Sequence, residues 1–134
     1  MSRQYGNIIT FGTFDLFHIG HLRILNRAKQ LGNRLIVGIS TDSLNLSKKG
    51  SLPIYNQNDR LEIVKSINGV DEVFFEEALE LKGEYIKKFS ADALVMGDDW
   101  FGRFDWCKEF CEVIYLPRTP DISSTQIKAD VKRA

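Results

Sequence analysis

The chain has 134 residues, of which 43% are hydrophobic, and its 18 lysines and arginines balance 18 aspartates and glutamates. This length predicts one domain, large enough to bury a core without disulfides or structural metals. The zero net charge excludes a general attraction to nucleic acid or to an anionic membrane, so any anion site has to be local.

Neither a membrane segment nor a targeting segment is expected. No run approaches the about 18 apolar residues of a membrane span, and residues 1–6 are polar, unlike the start of a signal peptide. The only cysteines are Cys107 and Cys111, which we expect to stay reduced thiols in the cytoplasm. We therefore expect a cytoplasmic protein that inserts into no membrane and binds no nucleic acid.

Short apolar runs rich in β-branched residues alternate with helix-periodic segments along the whole chain. We expect strands at 7–11, 34–40, 70–75, 92–96 and 112–116. We expect helices at 20–31 (ended by Gly32 and Asn33), 43–46, from 58 or 59 to 67, 79–89, 105–110 and 123–131, with loops at 47–55, 97–104 and 117–122.

This alternation predicts an α/β fold: a single Rossmann-like domain with a five-stranded parallel sheet and helices on both faces. In such sheets, ligands bind beyond the carboxyl ends of the strands. We therefore looked for chemistry in the loops after strands one, two, four and five, all of which carry unusual residues.

The loop after the first strand, residues 12–21, reads GTFDLFHIGH and contains both histidines of the chain, His18 and His21. Side chains three apart at the start of a helix lie on one face, and a helix N-terminus offers unpaired N–H groups and partial positive charge. Two imidazoles at that end suit phosphate oxygens. Gly12 would allow a sharp turn, and Gly20 would allow close approach of a ligand.

A zinc site is the alternative interpretation of the histidine pair. His18 and His21 together with Cys107 and Cys111 would supply four ligands of the right type. The cysteine spacing is not the close pair usual in structural zinc sites, and only folding would bring the two pairs together.

A second polar segment, residues 118–127, reads RTPDISSTQI. Arg118 offers a planar fork for phosphate, and several hydroxyls follow. Ser123 or Ser124 would cap the last predicted helix and so provide a second N-terminus facing an anion. A plain capped helix after a loop is the alternative.

Taken together, the two segments resemble the paired motifs GTFDxxHxGH and RTxGISTTxI of the cytidylyltransferase family, within the HxGH nucleotidyltransferase superfamily. The likeness continues through ISTD at 39–42, VDEV at 70–73, VMGDDW at 95–100 and CEVIYLPRT at 111–119. It is strongest to the bacterial members that act on glycerol 3-phosphate.

The resemblance implies a catalytic set and two binding sets. The catalytic set is His18, His21, Lys49 and Arg118. Nucleotide binding is implied for Thr13, Phe14, Asp15, Gly20, Lys48, Asp98, Thr119, Ile122, Ser123 and Ser124, and substrate binding for Arg60 and Asp42. Which of Lys48 and Lys49 contacts the triphosphate stays open, and an exposed position on a helix surface is the alternative for Arg60.

Asp15 is implied to lie near the phosphates, where a carboxylate needs a cation between them, so Asp15 is a candidate Mg²⁺ ligand. The alternative is a structural turn cap. Asp98 is a candidate for reading the base, and Trp100 either packs near it or covers the rim of the sheet.

The sequence departs from the family pattern at Asn68, Asp121 and Ser124, and the departure at Asn68 bears on the acceptor. Asn68 stands where relatives have an arginine that resembles a phosphate-binding residue. Asp121 replaces the usual glycine, whereas Ser124 replaces threonine and keeps the hydroxyl.

The resemblance implies a Mg²⁺-assisted enzyme, as a homodimer, that transfers CMP from CTP to a small phosphorylated alcohol, with glycerol 3-phosphate the first choice. A phosphate monoester already carries about −1.5 to −2 charge near neutral pH, so it attacks without a protein nucleophile. An adenylyltransferase acting on a sugar phosphate or related phosphate is one alternative, and a non-catalytic nucleotide-binding homologue is another.

Overall fold

The computed structural model describes residues 4–117. Five strands and four α-helices alternate through this part of the chain, with short 3-10 turns between some of them. In chain order they are β1 (Tyr5–Gly12), α1 (Ile19–Gln30), β2 (Gly32–Ser40), α2 (Asp42–Lys49), α3 (Gln57–Lys65), β3 (Glu72–Glu76), a 3-10 turn (Leu79–Leu81), α4 (Lys82–Lys88), β4 (Ala93–Gly97), 3-10 turns at Asp98–Trp100 and Asp105–Glu109, and β5 (Glu112–Leu116).

The strands form one parallel sheet in the order β3-β2-β1-β4-β5. The central strand β1 is apolar on both sides, as a strand covered on both faces must be. Ile8 packs in one core layer with α1 and α3, whereas the next residue, Ile9, packs in the other layer with α4. The predicted α/β fold, with five parallel strands and helices on both faces, is confirmed.

Two predicted boundaries are wrong. Gly32 does not end the first helix, because α1 ends at Gln30 and Gly32 is the first residue of β2. The short helix predicted at 43–46 runs from Asp42 to Lys49, so Lys48 and Lys49 belong to its last turn instead of to a loop. Basic residues are favourable there because a helix C-terminus carries partial negative charge.

Gly50 explains where α2 ends. It caps the helix with φ 76°, and its N–H donates to Leu46 O at 2.9 Å. This left-handed conformation is strained for residues with a Cβ, and glycine adopts it without that penalty. At the other end the Thr41 hydroxyl accepts from Leu44 N, as the sequence predicts for a capping threonine.

The segments predicted as helices 79–89 and 105–110 are shorter and partly of the tighter 3-10 type. None of the helices between residues 4 and 117 is long and apolar enough to cross a membrane.

Candidate active site

A cavity of about 490 Å³ opens where β1, β3 and β4 end at their carboxyl edge. The chain leaves β1 towards the face that carries α1 and enters β4 from α4 on the opposite face. Neighbouring strands whose connections diverge in this way leave a crevice between the loops, which is where ligands bind in open α/β sheets. The cavity walls also include the start of α1, the end of α2 and residues 51–53.

His18 and His21 lie together at this crevice, as the motif predicts. Their rings stack with centroids 3.8 Å apart. His18 is the N-cap of α1: its Nδ1 accepts from Gly20 N at 3.0 Å, and its own N–H donates to His21 Nδ1 at 3.2 Å. The two imidazoles thus form a reciprocal capping box, a role usually filled by serine or threonine with glutamate.

These contacts decide the tautomers. An imidazole nitrogen that accepts a hydrogen bond carries no proton, so the neutral form of each ring is protonated at Nε2. Burial lowers the pKa of His18, and burial followed by the neighbouring His18 lowers the pKa of His21 to about 4, against the opposing effect of Asp15. Both rings are therefore neutral near pH 7.

His18 Nε2 is buried and has no hydrogen-bond partner among the described residues. A buried N–H without a partner is unfavourable, and this one lies on a side chain that lines the cavity. The pair is consequently suited to donate two Nε2–H groups to an anion at the N-terminus of α1.

The loop that leads into the histidines is strained. Phe14 and Leu16 have φ values of 56° and 49°, a left-handed region that costs non-glycine residues about 1 kcal/mol or more. Phe14 is buried beneath His21, with ring centroids 5.4 Å apart. Gly12 makes room for it: a Cβ there would approach the Phe14 ring to 2.7 Å. Gly12 thus allows the Phe14 ring to pack closely against the backbone. The sharp turn that the sequence predicts at Gly12 is made instead by Phe14 and Leu16.

Lys48 and Lys49 both line the cavity from the last turn of α2. Lys49 is exposed and Lys48 is half-buried, with its ammonium 5.9 Å from the centre of the Trp100 ring. Burial lowers the pKa of Lys48 to about 8, and the neighbouring Lys49, Lys82 and Arg60 act in the same direction, opposed by Glu76.

Asp15 lines the cavity and binds the backbone of the segment that follows α2. Its two carboxylate oxygens accept from Ile54 N and Tyr55 N, both at 2.8 Å, and the residue is 2% exposed. Residues 4–117 contain no group of three or more histidine, cysteine, aspartate or glutamate side chains placed to hold a metal. The geometry therefore favours the structural alternative for Asp15, and the described side chains do not form a Mg²⁺ cage.

Arg60 and Asp42, for which the resemblance implies substrate binding, do not line the cavity. Arg60 is completely buried. Its guanidinium donates to Tyr55 O, Thr13 O and Ser40 O and pairs with Asp42 Oδ1 at 2.7 Å. These bonds hold the loops behind the site, and substrate binding by the pair stays a prediction.

The role in reading the base that the resemblance implies for Asp98 stays a prediction. Asp99, and not Asp98, lines the cavity, together with Trp100. The 3-10 turn at Asp98–Trp100 has about three residues per turn, so adjacent aspartates point in different directions. Both alternatives for Trp100 hold in part: its ring lines the cavity and packs on Phe104 with centroids 5.3 Å apart.

The cavity is also lined by three polar side chains that the sequence did not predict, those of Glu76, Lys82 and Asn45. Glu76 and Lys82 form a buried ion pair that lines the cavity from the α4 side. Asn45 accepts from the Thr13 hydroxyl and donates to Ser40, which joins α2 to the first loop. The signal for Glu76 in the sequence is its place at the carboxyl end of the third strand, at the edge of the sheet where ligands bind.

The zinc alternative is wrong, because Cys107 belongs to the core layer around Ile9 and is fully buried there. Burial is the main cause that raises the pKa of Cys107 and of Cys111 to about 11, so both thiols stay protonated at neutral pH.

The remaining predicted residues lie outside the described part of the chain. They are Arg118, Thr119, Ile122, Ser123 and Ser124, with the helix predicted at 123–131. The predicted site residues between positions 4 and 117 that line the cavity are Thr13, Phe14, Asp15, His18, Gly20, His21, Lys48 and Lys49.

Comparison with known proteins supports the motif-based interpretation. The sequence model of the cytidylyltransferase-like family matches residues 9–130. A glycerol-3-phosphate cytidylyltransferase of Bacillus spizizenii is 52% identical over 124 residues, which cover 92% of this chain and 95% of the relative. The enzyme of that name from Bacillus subtilis is 49% identical with the same coverage.

Among solved structures, a lipopolysaccharide core biosynthesis protein from Thermoplasma volcanium superposes with a TM-score of 0.75. It is 21% identical, and the match covers 86% of this chain and 98% of that protein. At that identity the likeness concerns the fold alone.

Proposed function

Because the chain belongs to the cytidylyltransferase-like family, we propose that it transfers CMP from CTP to glycerol 3-phosphate, giving CDP-glycerol and pyrophosphate. The observation that carries the reaction type is the pair of neutral imidazoles at the N-terminus of α1: both side chains line the cavity, and His18 Nε2 has no hydrogen-bond partner among the described residues. The choice of CTP and glycerol 3-phosphate follows the names of the two relatives of near-complete coverage.

The reaction needs no nucleophile from the protein. An oxygen of the acceptor phosphate forms a bond to the α-phosphorus of CTP while the bond to the β-phosphate oxygen breaks, and its electron pair leaves with pyrophosphate. Catalysis then consists of alignment and of stabilising the charge that develops on the oxygens. Asp15, Arg60 and Asn45 contribute by holding the loops that carry the donors.

Two groups of donors face each other across the end of β1. The histidines come from α1 on one face of the sheet, whereas Lys82 comes from α4 on the opposite face. Two anions must meet during the transfer. We assign the triphosphate to the histidine side and the acceptor phosphate to the Lys82 side. In-line transfer needs the acceptor and the leaving pyrophosphate on opposite sides of the α-phosphorus, and a single cluster of cations would hold both anions on one side.

The proposal includes a Mg²⁺ ion that binds together with CTP. It would neutralise charge on the triphosphate, bound mainly by phosphate oxygens and water, as Mg²⁺ commonly is at nucleotide sites. No step is assigned to it here, because the described side chains do not form a site for it.

A pyrophosphate-release assay tests the proposal, with CTP, ATP, GTP and UTP each offered with glycerol 3-phosphate and with longer polyol and sugar phosphates. We expect the highest kcat/KM for CTP with glycerol 3-phosphate. A preference for ATP would establish the adenylyltransferase alternative, and CTP binding without turnover for any acceptor would establish the non-catalytic one.

We also propose that the protein acts in the cytoplasm as a homodimer. The family resemblance supports the dimer, and light scattering coupled to size-exclusion chromatography tests it. A single species at 15.4 kDa would contradict it.

A further inference from the structure

Glu76 and Lys82 form an ion pair in the interior of the protein. Glu76 is the last residue of β3 and Lys82 is the first residue of α4. The Lys82 ammonium pairs with Glu76 Oε2, and the two side chains are only 1% and 2% exposed. Both residues nevertheless line the cavity, so the pair lies directly beneath the space for substrate.

The position of the Lys82 ammonium is determined from several directions. It lies 4.4 Å from the centre of the Phe11 ring and 4.4 Å from that of Phe104. Glu76 is itself held by its backbone, because its carbonyl accepts from Thr41 N at 3.1 Å. An ammonium clamped between two ring faces and one carboxylate has little freedom to choose another rotamer.

Stability does not explain such a pair, because apolar residues of similar volume generally serve a core as well as or better than a buried ion pair. Removing only one partner is different, since it leaves the other charge buried without compensation. Here the pair sits at the floor of a ligand cavity, and Lys82 has three donors of which the carboxylate takes one.

We infer that Glu76 is a positioning residue for the transfer: it holds Lys82 charged and in place between Phe11 and Phe104, so that the ammonium meets the acceptor phosphate. This inference rests on the proposed function. Glu76 does not itself contact the substrate. Its charge, more than its volume, keeps Lys82 protonated and in place.

The electrostatics agree with that geometry. Burial lowers the pKa of Lys82, and Glu76 is the strongest opposing influence. The other groups that act on the pair are Glu80 in the preceding 3-10 turn, Cys107 from the turn at Asp105–Glu109, and Lys48 from α2. Without the carboxylate, the pKa of Lys82 falls further, because burial and Lys48 both disfavour its charge.

Glu76→Gln tests the inference because it keeps the shape of the side chain and removes its charge. We expect kcat/KM for glycerol 3-phosphate at pH 8 to fall at least tenfold, through a higher KM for the acceptor, with little change in the Kd for CTP measured by calorimetry. The ratio of wild type to variant should shrink as the pH is lowered towards 6, because lower pH restores the proton to Lys82.

Glu77→Gln is the matched control, since it removes the same charge from the adjacent, exposed residue outside the cavity. Glu76→Asp keeps the charge and should recover part of the lost activity. If Glu76→Gln does not fold, as thermal unfolding would show, Glu76→Gln with Lys82→Gln leaves no uncompensated charge at this position; we expect it to fold and to have a high acceptor KM at every pH.

Three outcomes would overturn the inference: wild-type acceptor KM in Glu76→Gln, a loss of activity that is equal at every pH, or wild-type kinetics in the double variant. The proposed function fails separately, if the wild-type protein releases no pyrophosphate from CTP with any acceptor.

Discussion

Single residues in the cavity owe their chemistry to burial and to specific partners. His18 and His21 are neutral because burial lowers the pKa of each, and they are Nε2–H donors because each Nδ1 accepts a backbone N–H. Lys48 also lines the cavity, with a pKa lowered to about 8. Protonation of these three side chains is therefore a property of the folded site and does not follow from residue type.

Replacing His21 removes one of the two imidazole donors. We expect His21→Ala to reduce kcat at saturating substrates by about a hundredfold, the usual effect of deleting a donor to developing charge. Steady-state pyrophosphate release checks this, with Asn26→Ala on the exposed side of the same helix as the control. Turnover within a factor of a few of wild type would contradict the role.

Lys48 predicts a pH dependence of CTP binding. Because its pKa is lowered to about 8, its charge is present at pH 7 and is lost as the pH rises through that value. We expect affinity for CTP to fall several-fold between pH 7 and pH 9 and to fall less in Lys48→Arg, since arginine keeps its charge. Calorimetry at both pH values measures this. Equal slopes in the two proteins would show that Lys48 does not contact the triphosphate.

At the scale of elements, loops carry the donors and buried polar groups hold the loops. The segment after α2 is attached at Tyr55 from two sides, by Asp15 at its N–H and by Arg60 at its carbonyl. The same arginine reaches the end of β2 at Ser40 and the start of the first loop at Thr13. One side chain thus aligns three segments that the chain connects only distantly.

Arg60→Lys separates a structural role from contact with substrate. Lysine keeps the charge and cannot reproduce the four hydrogen bonds, so we expect the free energy of unfolding to fall by roughly 3 kcal/mol. Urea titration followed by circular dichroism measures it, with Arg23→Lys at an exposed site as the control. Unchanged stability with a raised substrate KM would instead indicate direct contact.

Gly50 and Gly102 offer a matched pair for testing the end of α2. Both have positive φ, 76° and 79°, and an added Cβ would meet nothing within 4 Å at either. Alanine should destabilise the protein by about 1 kcal/mol at each site. We expect only Gly50→Ala to raise the KM for CTP, because only that turn carries Lys48 and Lys49. Equal effects on KM would contradict this coupling.

At the scale of the molecule, the site is a consequence of sheet order. Connections that leave β1 and enter β4 on opposite faces create the crevice, and helices from both faces then contribute cations to it. Such a crevice gives the two substrates of the proposed reaction room to approach from opposite sides. Residues 4–117 contain no group of three or more histidine, cysteine, aspartate or glutamate side chains placed to hold a metal.

Removing Mg²⁺ with a chelator should therefore change the activity of the protein and leave its thermal stability unchanged. We expect EDTA to abolish pyrophosphate release, because CTP loses its Mg²⁺, and to leave the midpoint of thermal unfolding of the ligand-free protein unchanged within about 1 °C. Added Mg²⁺ should restore turnover. A large drop in the unfolding midpoint would reveal a structural metal, and full activity in EDTA would remove Mg²⁺ from the proposal.

The sequence by itself determined the α/β fold and the histidine pair, because strand periodicity, helix periodicity and the HxGH spacing are local properties of the chain. Only the tertiary structure decided that Arg60 is buried, that Asp15 clamps a loop, and that Glu76 and Lys82 line the cavity. Those facts depend on which distant segments share a strand end. Burial and pairing across such distances decide whether a charged side chain supports a site or faces its ligand.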